Sequence, residues 1–277
     1  MESNNTRPVS LSKAATHVQG LDGILNGGLP LGRATMISGG AGTGKTVLAM
    51  EILYHWALDG QPGVFVSFEE RTEDLRINAA SMGMDIQSLE QAERFRLVHA
   101  EVPHGAIRAG EFDIKGMLAI IEQHTRSAGA SRLVLDAIDV LLRLFGDPER
   151  EREELHILLD WLRERDMTVL LTVKARPDGR QVYPFLDFMA DCILFLDQRL
   201  QGQVRTRRLN VIKYRGSGFL SNEHPYVLSS RGVVLMPVSS LSLEHHQGGE
   251  KISSGNPQLD SILGGGYLQG SFILLAG

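Results

Sequence analysis

The sequence predicts an α/β domain of three layers, with a mainly parallel central sheet and an antiparallel edge toward the C-terminus. Three observations carry that expectation. Apolar runs of strand length alternate with longer helical patterns. A glycine-rich turn joins the first run to the first long helix. The last runs, 204–214 and 226–235, are joined by a turn alone, as neighbouring antiparallel strands are. The earlier strands are expected at 34–38, 64–68, 95–99, 132–135, 168–173 and 192–196. Their near-continuous apolar character suits a parallel sheet covered on both faces. Helices are expected between them at about 46–58, 72–82, 114–127 and 149–165. The last is best signalled: Asp147 can cap it, Pro148 suits its first turn, and Leu155, Leu158, Leu159 and Leu162 form one apolar stripe.

With 277 residues, 43% of them hydrophobic and 22% charged, the chain has the composition of a soluble globular protein, which argues against disorder, a fibrous repeat or a membrane protein. Its 28 Lys and Arg against 33 Asp and Glu give a net charge of −5, which is not the footprint of a dedicated nucleic-acid binder. Cys192 is the single cysteine, so no disulfide framework or cysteine zinc site is expected. The histidines lack metal-ligand spacing, and Trp56 and Trp161 read as packing residues. The polar N-terminus has no signal-type apolar core and no 18-residue apolar run occurs, so a cytoplasmic location is expected.

An internal repeat sets the domain organisation. Residues 21–39, LDGILNGGLPLGRATMISG, align without gaps on 259–277, LDSILGGGYLQGSFILLAG. Repeats of this kind mark duplicated units. The expected organisation is therefore a flexible arm over 1–19, a nucleotide-binding domain over 20–238, a polar linker over 239–250, and the start of a second copy over 251–277.

Gly39 to Thr46, GGAGTGKT, match G-x-x-x-x-G-K-[ST] and lie between a strand and a helix, where a phosphate loop belongs. The glycines let backbone N–H groups turn inward around phosphates, and the helix N-terminus adds partial positive charge. Gly42, Thr43, Gly44, Lys45, Thr46 and Val47 are the expected nucleotide-binding run. Lys45 can reach the β- and γ-phosphates, and the Thr46 hydroxyl can ligate Mg²⁺. Asp136, ending the apolar strand RLVLD, is the expected second Mg²⁺ partner. Asp139 reads as a cap or turn residue. Glu69 and Glu70, at the end of VFVSF, read either as the carboxylates that activate water or as a solvated acidic start to the next helix.

Taken together, LDGILNGGLPLGR, GGAGTGKT, VFVSFEE, the RLVLD strand and IKYRGSGF at 212–219 resemble the RecA superfamily and, within it, the KaiC family of circadian clock ATPases. The resemblance runs from about Gly20 to Val238, the family's first ATPase domain, and resumes in the entry to the second. It implies a RecA-like fold that binds ATP and Mg²⁺, with Glu69 and Glu70 as the catalytic pair and Ser81 at the nucleotide. It also implies a homohexameric ring with ATP between subunits. There Lys213, Tyr214, Arg215 and Ser217 would meet the neighbour's nucleotide, Arg215 acting in trans on the γ-phosphate. Partners would be further copies of the chain and Kai-type clock or signalling proteins. The family's serine/threonine autokinase activity belongs to the second domain and is not expected here.

Departures from the family are Phe219 for a nucleotide-contacting histidine, Ser230 for an aspartate, and Ser217 and Ser229 for threonines. Two other classes stay open on the residues. One is a DNA-dependent recombinase ATPase, using Arg205, Arg207 and Arg208 or the loop arginines Arg176 and Arg180. The other is a non-catalytic module in which ATP only stabilises assembly.

Overall fold

The computed structural model describes residues 11–100, 114–175, 183, 185–238, 250–270, 273 and 274. Its chain divides into two compact units, Met1–Ser239 and Ser240–Gly277.

In the first unit the strands run β1 (Lys13–Ala14), β2 (Leu29–Pro30), β3 (Ala34–Gly39), β4 (Gly63–Ser67), β5 (Phe95–His99), β6 (Arg132–Asp136), β7 (Thr168–Lys174), β8 (Cys192–Gln201), β9 (Val204–Tyr214), β10 (His224–Ser229) and β11 (Gly232–Leu235). Nine of them form one sheet in the order β11-β10-β9-β8-β3-β7-β6-β4-β5. From β8 to β5 all neighbours are parallel, and from β8 to β11 all are antiparallel. The expected mainly parallel sheet with an antiparallel edge is therefore present.

Alternation along the strands sends side chains to two separate cores. Ile37, Phe65, Val134, Leu170 and Leu194 face the helix Lys45–Leu58, which is joined on that side by the helices Thr72–Ser81 and Ile86–Gln91. Met36, Val64, Leu133, Leu171 and Ile193 face the helices Ile114–Ser127 and Pro148–Glu164. The second of these begins as expected: the Asp147 carboxylate accepts from Arg150 N at 3.2 Å, Pro148 opens the first turn, and the four predicted leucines are buried. Two boundaries differ from expectation. Strand 192–196 continues to Gln201 because it folds back on β9 as a long hairpin, and 226–235 divides into β10 and β11 around a turn.

The N-terminal segment also differs. Residues 13–18, expected within a flexible arm, are built into the domain: β1 pairs with β2, and Ala14, Thr16 and Val18 are buried. Polar composition suggested an arm, yet each polar group has an internal use. Lys13 Nζ donates to Leu25 O at 2.8 Å, Asn26 O at 2.6 Å and Ser217 Oγ at 2.6 Å, while Asp22 accepts from the backbone and hydroxyl of Thr16, both at 2.8 Å.

The second unit repeats this construction at the sequence offset of 238. Strands Lys251–Ile252 and Tyr267–Leu268 pair as β1 and β2 do, the helix Pro257–Ile262 stands for Leu21–Ile24, and Lys251 Nζ donates to Leu263 O at 2.7 Å and Gly264 O at 2.8 Å. Asp260 accepts from Ser254 N at 2.8 Å, as Asp22 does from Thr16. Gly28 and Gly266 are equivalent, with φ of 124° and 113°, and a Cβ on either would lie 2.2 Å from a backbone oxygen. Only glycine fits there. The repeat thus begins at Lys13 and Lys251, ahead of the aligned sequence. The linker expected at 239–250 lies outside the described residues except for Glu250.

The antiparallel edge is tied to the phosphate-loop helix. Glu51, buried on that helix, accepts the Val233 N–H at 2.7 Å, and burial pushes its carboxyl up to about 7. A carboxyl raised on folding contributes stability that is present at acid pH and lost as pH rises through the folded value. The shift corresponds to about 3 kcal/mol lost between roughly pH 4 and 8. Glu51→Gln keeps an acceptor for Val233. It is expected to be more stable than the parent at pH 8 and to lack most of that decline, read as urea midpoints at the two pH values. Parallel pH curves for parent and variant would refute the assignment.

Candidate functional site

The site is assembled where the parallel strands end. β3 reaches Gly39 and opens into the loop, which re-enters helix at Lys45. Gly44 turns the chain into the helix at φ 90°, with the Leu228 side chain 2.9 Å from where a Cβ would stand. Within the loop the Thr43 hydroxyl donates to Gly40 O at 2.9 Å, and Lys45 Nζ donates to the same oxygen at 2.9 Å. Two side chains hold the loop from outside: Tyr226 from β10 donates to Thr43 O at 2.5 Å, and Gln198 from β8 donates to Ala41 O at 3.2 Å.

Asp136 ends β6 and meets the loop helix directly. The Thr46 hydroxyl lies 3.0 and 3.3 Å from its two oxygens, and the Thr172 hydroxyl from β7 donates to it as well. Burial pushes the Asp136 carboxyl upward, and these two hydroxyls oppose the shift. Lys45 is lowered by burial and supported by the nearby Asp136 and Asp139. A hydroxyl and a carboxylate touching beside a phosphate loop are hard oxygen donors of the kind that bind Mg²⁺ together with nucleotide phosphates. The residues therefore fit that ion. Asp139, expected as a cap or turn residue, lies instead within the short helix Ile138–Leu142, where its carboxylate accepts from Lys174 N at 3.2 Å and Arg143 Nη2 at 2.7 Å.

The two glutamates are separated by their surroundings. Glu69 is exposed. Glu70 lines a cleft of about 220 Å³ with Thr46, Val47, Met50, Ser81 and Met84. Its backbone N–H donates to Ser67 Oγ at 2.9 Å, and Asn78 Nδ2 donates to its carboxylate at 3.4 Å. Burial, then the charges of Asp136 and Glu69, raise its carboxyl above the usual range. Ser81 closes the far wall, its hydroxyl donating to Asn78 O at 2.7 Å.

Lys213, Tyr214, Arg215 and Ser217 are not brought to this loop. Tyr214 is level with Cys192, and Cys192 with Thr35, at the opposite end of β3 from Gly39. That is about 13 Å of strand from the loop. The Tyr214 hydroxyl donates to Gly28 O at 2.7 Å, and Ser217 receives Lys13. Arg215 is half-exposed and donates to Phe188 O at 2.7 Å. Phe219, standing for the family's histidine, packs partly buried against the core.

Thr172, Asn78, Gln198 and Tyr226 were not singled out in the sequence. Thr172 alone left a trace, as the one hydroxyl inside an otherwise apolar strand interior. Of the recombinase arginines, Arg208 is paired with Glu223 at 2.6 Å, and Arg176 and Arg180 lie outside the described residues. Among the described residues no cluster of three metal-ligating side chains occurs, and no helix is long and apolar enough to cross a membrane.

The family model for the KaiC ATPase matches residues 14–240. The circadian clock protein KaiC2 of Synechocystis sp. is 38% identical over 277 residues, covering 99% of this chain and 49% of that protein. The circadian clock oscillator protein KaiC of Synechococcus elongatus is 31% identical over 278 residues, covering 99% and 54%. The crystal structure of a KaiC-like protein from Pyrococcus horikoshii superposes with a TM-score of 0.73 at 28% identity, covering 82% of this chain and 100% of that one. The chain spans about half the length of the curated relatives it matches.

Proposed function

This chain belongs to the KaiC family of ATPases, and from that premise we propose that it binds ATP with Mg²⁺ and hydrolyses it slowly at the subunit interfaces of a homohexameric ring. The observation that carries the proposal is the contact of the Thr46 hydroxyl with Asp136 beside Lys45, with Glu70 opening into the adjoining cleft. Backbone N–H groups of Gly40–Thr46 and the Lys45 ammonium bind the phosphates. Thr46 and Asp136 would hold the Mg²⁺, which when bound would neutralise charge on the phosphates. Glu70, raised in basicity by burial, accepts the proton of the water that attacks the γ-phosphorus, and ADP and phosphate leave. Glu69 supports it from the rim.

The distance of Lys213 and Arg215 from their own loop supports a shared site. From there they can serve only a nucleotide bound by another copy, as an arginine finger does. A heterologous contact of that kind closes into a ring when its rotation divides the circle. The nucleotide state of the ring would then be read by partners, in timing or signalling of the Kai type. The recombinase reading gains nothing from Arg208, whose charge is met by Glu223.

The deciding experiment is size-exclusion chromatography with light scattering, with and without MgATP, while phosphate release is followed in the same sample. A hexamer formed with ATP, releasing phosphate slowly and indifferent to single-stranded DNA, is expected. A filament whose turnover rises with DNA would overturn the reading. Assembly without any turnover would leave only an ATP-dependent assembly module.

A further inference from the structure

Among the described residues, Lys174 is a cation at the strand ends to which the mechanism above gives no role. Lys174 is the last residue of β7, between β3 and β6, in register with Gly39 where the phosphate loop begins. Alternation along β7 fixes its face. Leu170 packs under the loop helix, Thr172 bonds Asp136, and Lys174 follows on that same face, whereas Val169, Leu171 and Val173 enter the opposite core. β6 and β7 are in register up to Leu135 and Leu171, and the next residues, Asp136 and Thr172, are hydrogen-bonded. Lys174 therefore stands two residues, about 7 Å, further toward the open edge. Its backbone is fixed there by Lys174 N to Asp139 Oδ1 at 3.2 Å and Ala175 N to Gly39 O at 2.9 Å. The side chain is exposed, and its charge is felt at Lys45 across the loop.

Lys45 and Lys174 carry like charge at the two flanks of the loop, so an anion bound there would be attracted to both, beyond what Asp136 and Asp139 already supply to Lys45. The anion suited to that position is one whose charge extends past the reach of Lys45. We propose that Lys174 is a second, same-chain cation for the terminal phosphate of a nucleoside triphosphate. The proposal rests on the ATP reading above and adds a specific consequence. Lys174 distinguishes triphosphate from diphosphate, because the diphosphate ends before it. Lys45, closer to the helix N-terminus, serves both.

The test uses the full chain and its Lys174→Met and Lys174→Arg variants. Affinities for ADP and for a non-hydrolysable imido analogue of ATP, each with Mg²⁺, are read by competition against a fluorescent nucleotide. One charge-assisted hydrogen bond lost should weaken the analogue about tenfold in Lys174→Met and ADP less than about twofold. Lys174→Arg should retain most of the discrimination. Equal weakening of both nucleotides, or no change in either while the parent binds both, overturns the role of Lys174 alone. A parent chain that binds neither overturns the ATP reading and this proposal with it. Thermal unfolding of the variants separates these outcomes from misfolding, since an exposed strand-end side chain should leave the midpoint unchanged.

Discussion

The Glu69→Gln/Glu70→Gln double variant is expected to bind ATP and assemble as the parent does, yet to release phosphate roughly 10²–10⁴-fold more slowly, the usual contribution of a positioned base. The residues proposed to bind nucleotide, Lys45, Thr46 and Asp136, are hydrogen-bonded to Gly40 and to one another and not to either glutamate. Their loss should therefore fall on the chemical step alone. The two single variants should differ. Glu70 shares the cleft with Thr46, is held by Asn78, and has a carboxyl raised by burial, whereas Glu69 stands exposed. A raised carboxyl is the better proton acceptor, so Glu70→Gln should account for most of the loss. Single-turnover phosphate release at saturating ATP measures it directly. If Glu69→Gln cost more than Glu70→Gln, the roles would have to be exchanged. If ATP affinity collapsed instead, the pair would be structural.

The same contrast between what motifs specify and what packing specifies explains how far the sequence could be read. The loop, Asp136 and the glutamates are recognisable because each sits at the end of an apolar strand, and strand ends are where a parallel sheet presents its chemistry. The residues that hold them in place come from elsewhere. Thr172, Tyr226 and Gln198 reach the site from β7, β10 and β8, and only strand order and register bring them there. Strand order is a tertiary fact without a local signature. Gln198 lies in the half-exposed extension of β8, where polar residues hide the strand from any search for apolar runs. The segment from Lys13 to Val18 was hidden for a related reason. Its polar side chains are met by backbone carbonyls and by Asp22, Asp59 and Ser217, partners that composition does not reveal. Its equivalence to Lys251 and the residues after it emerged only when the same hydrogen bonds recurred.

Arg215→Ala is expected to lower hydrolysis by on the order of 10³-fold, as loss of an arginine finger does, while ATP still binds at the loop. The more telling result is a mixture. Arg215→Ala subunits retain Lys45, and Lys45→Ala subunits retain Arg215, so neither variant alone has a complete site. When the two are mixed in equal amounts and assemble at random, about a quarter of the heterologous interfaces join a good loop to a good arginine, and activity should return to about that fraction of the parent. A site contained in one chain would show no such rescue, because each variant would stay dead in any company. Arg215 also has a local task, since its guanidinium donates to Phe188 O and lies 3.7 Å from Asp191. Removing it could therefore loosen the helix Leu186–Met189. That effect would lower the unfolding temperature of Arg215→Ala and would not be repaired by mixing. Rescue without a change in unfolding temperature assigns Arg215 to the neighbour's phosphate. A fall in unfolding temperature without rescue assigns it to its own domain and removes the main support for a shared site.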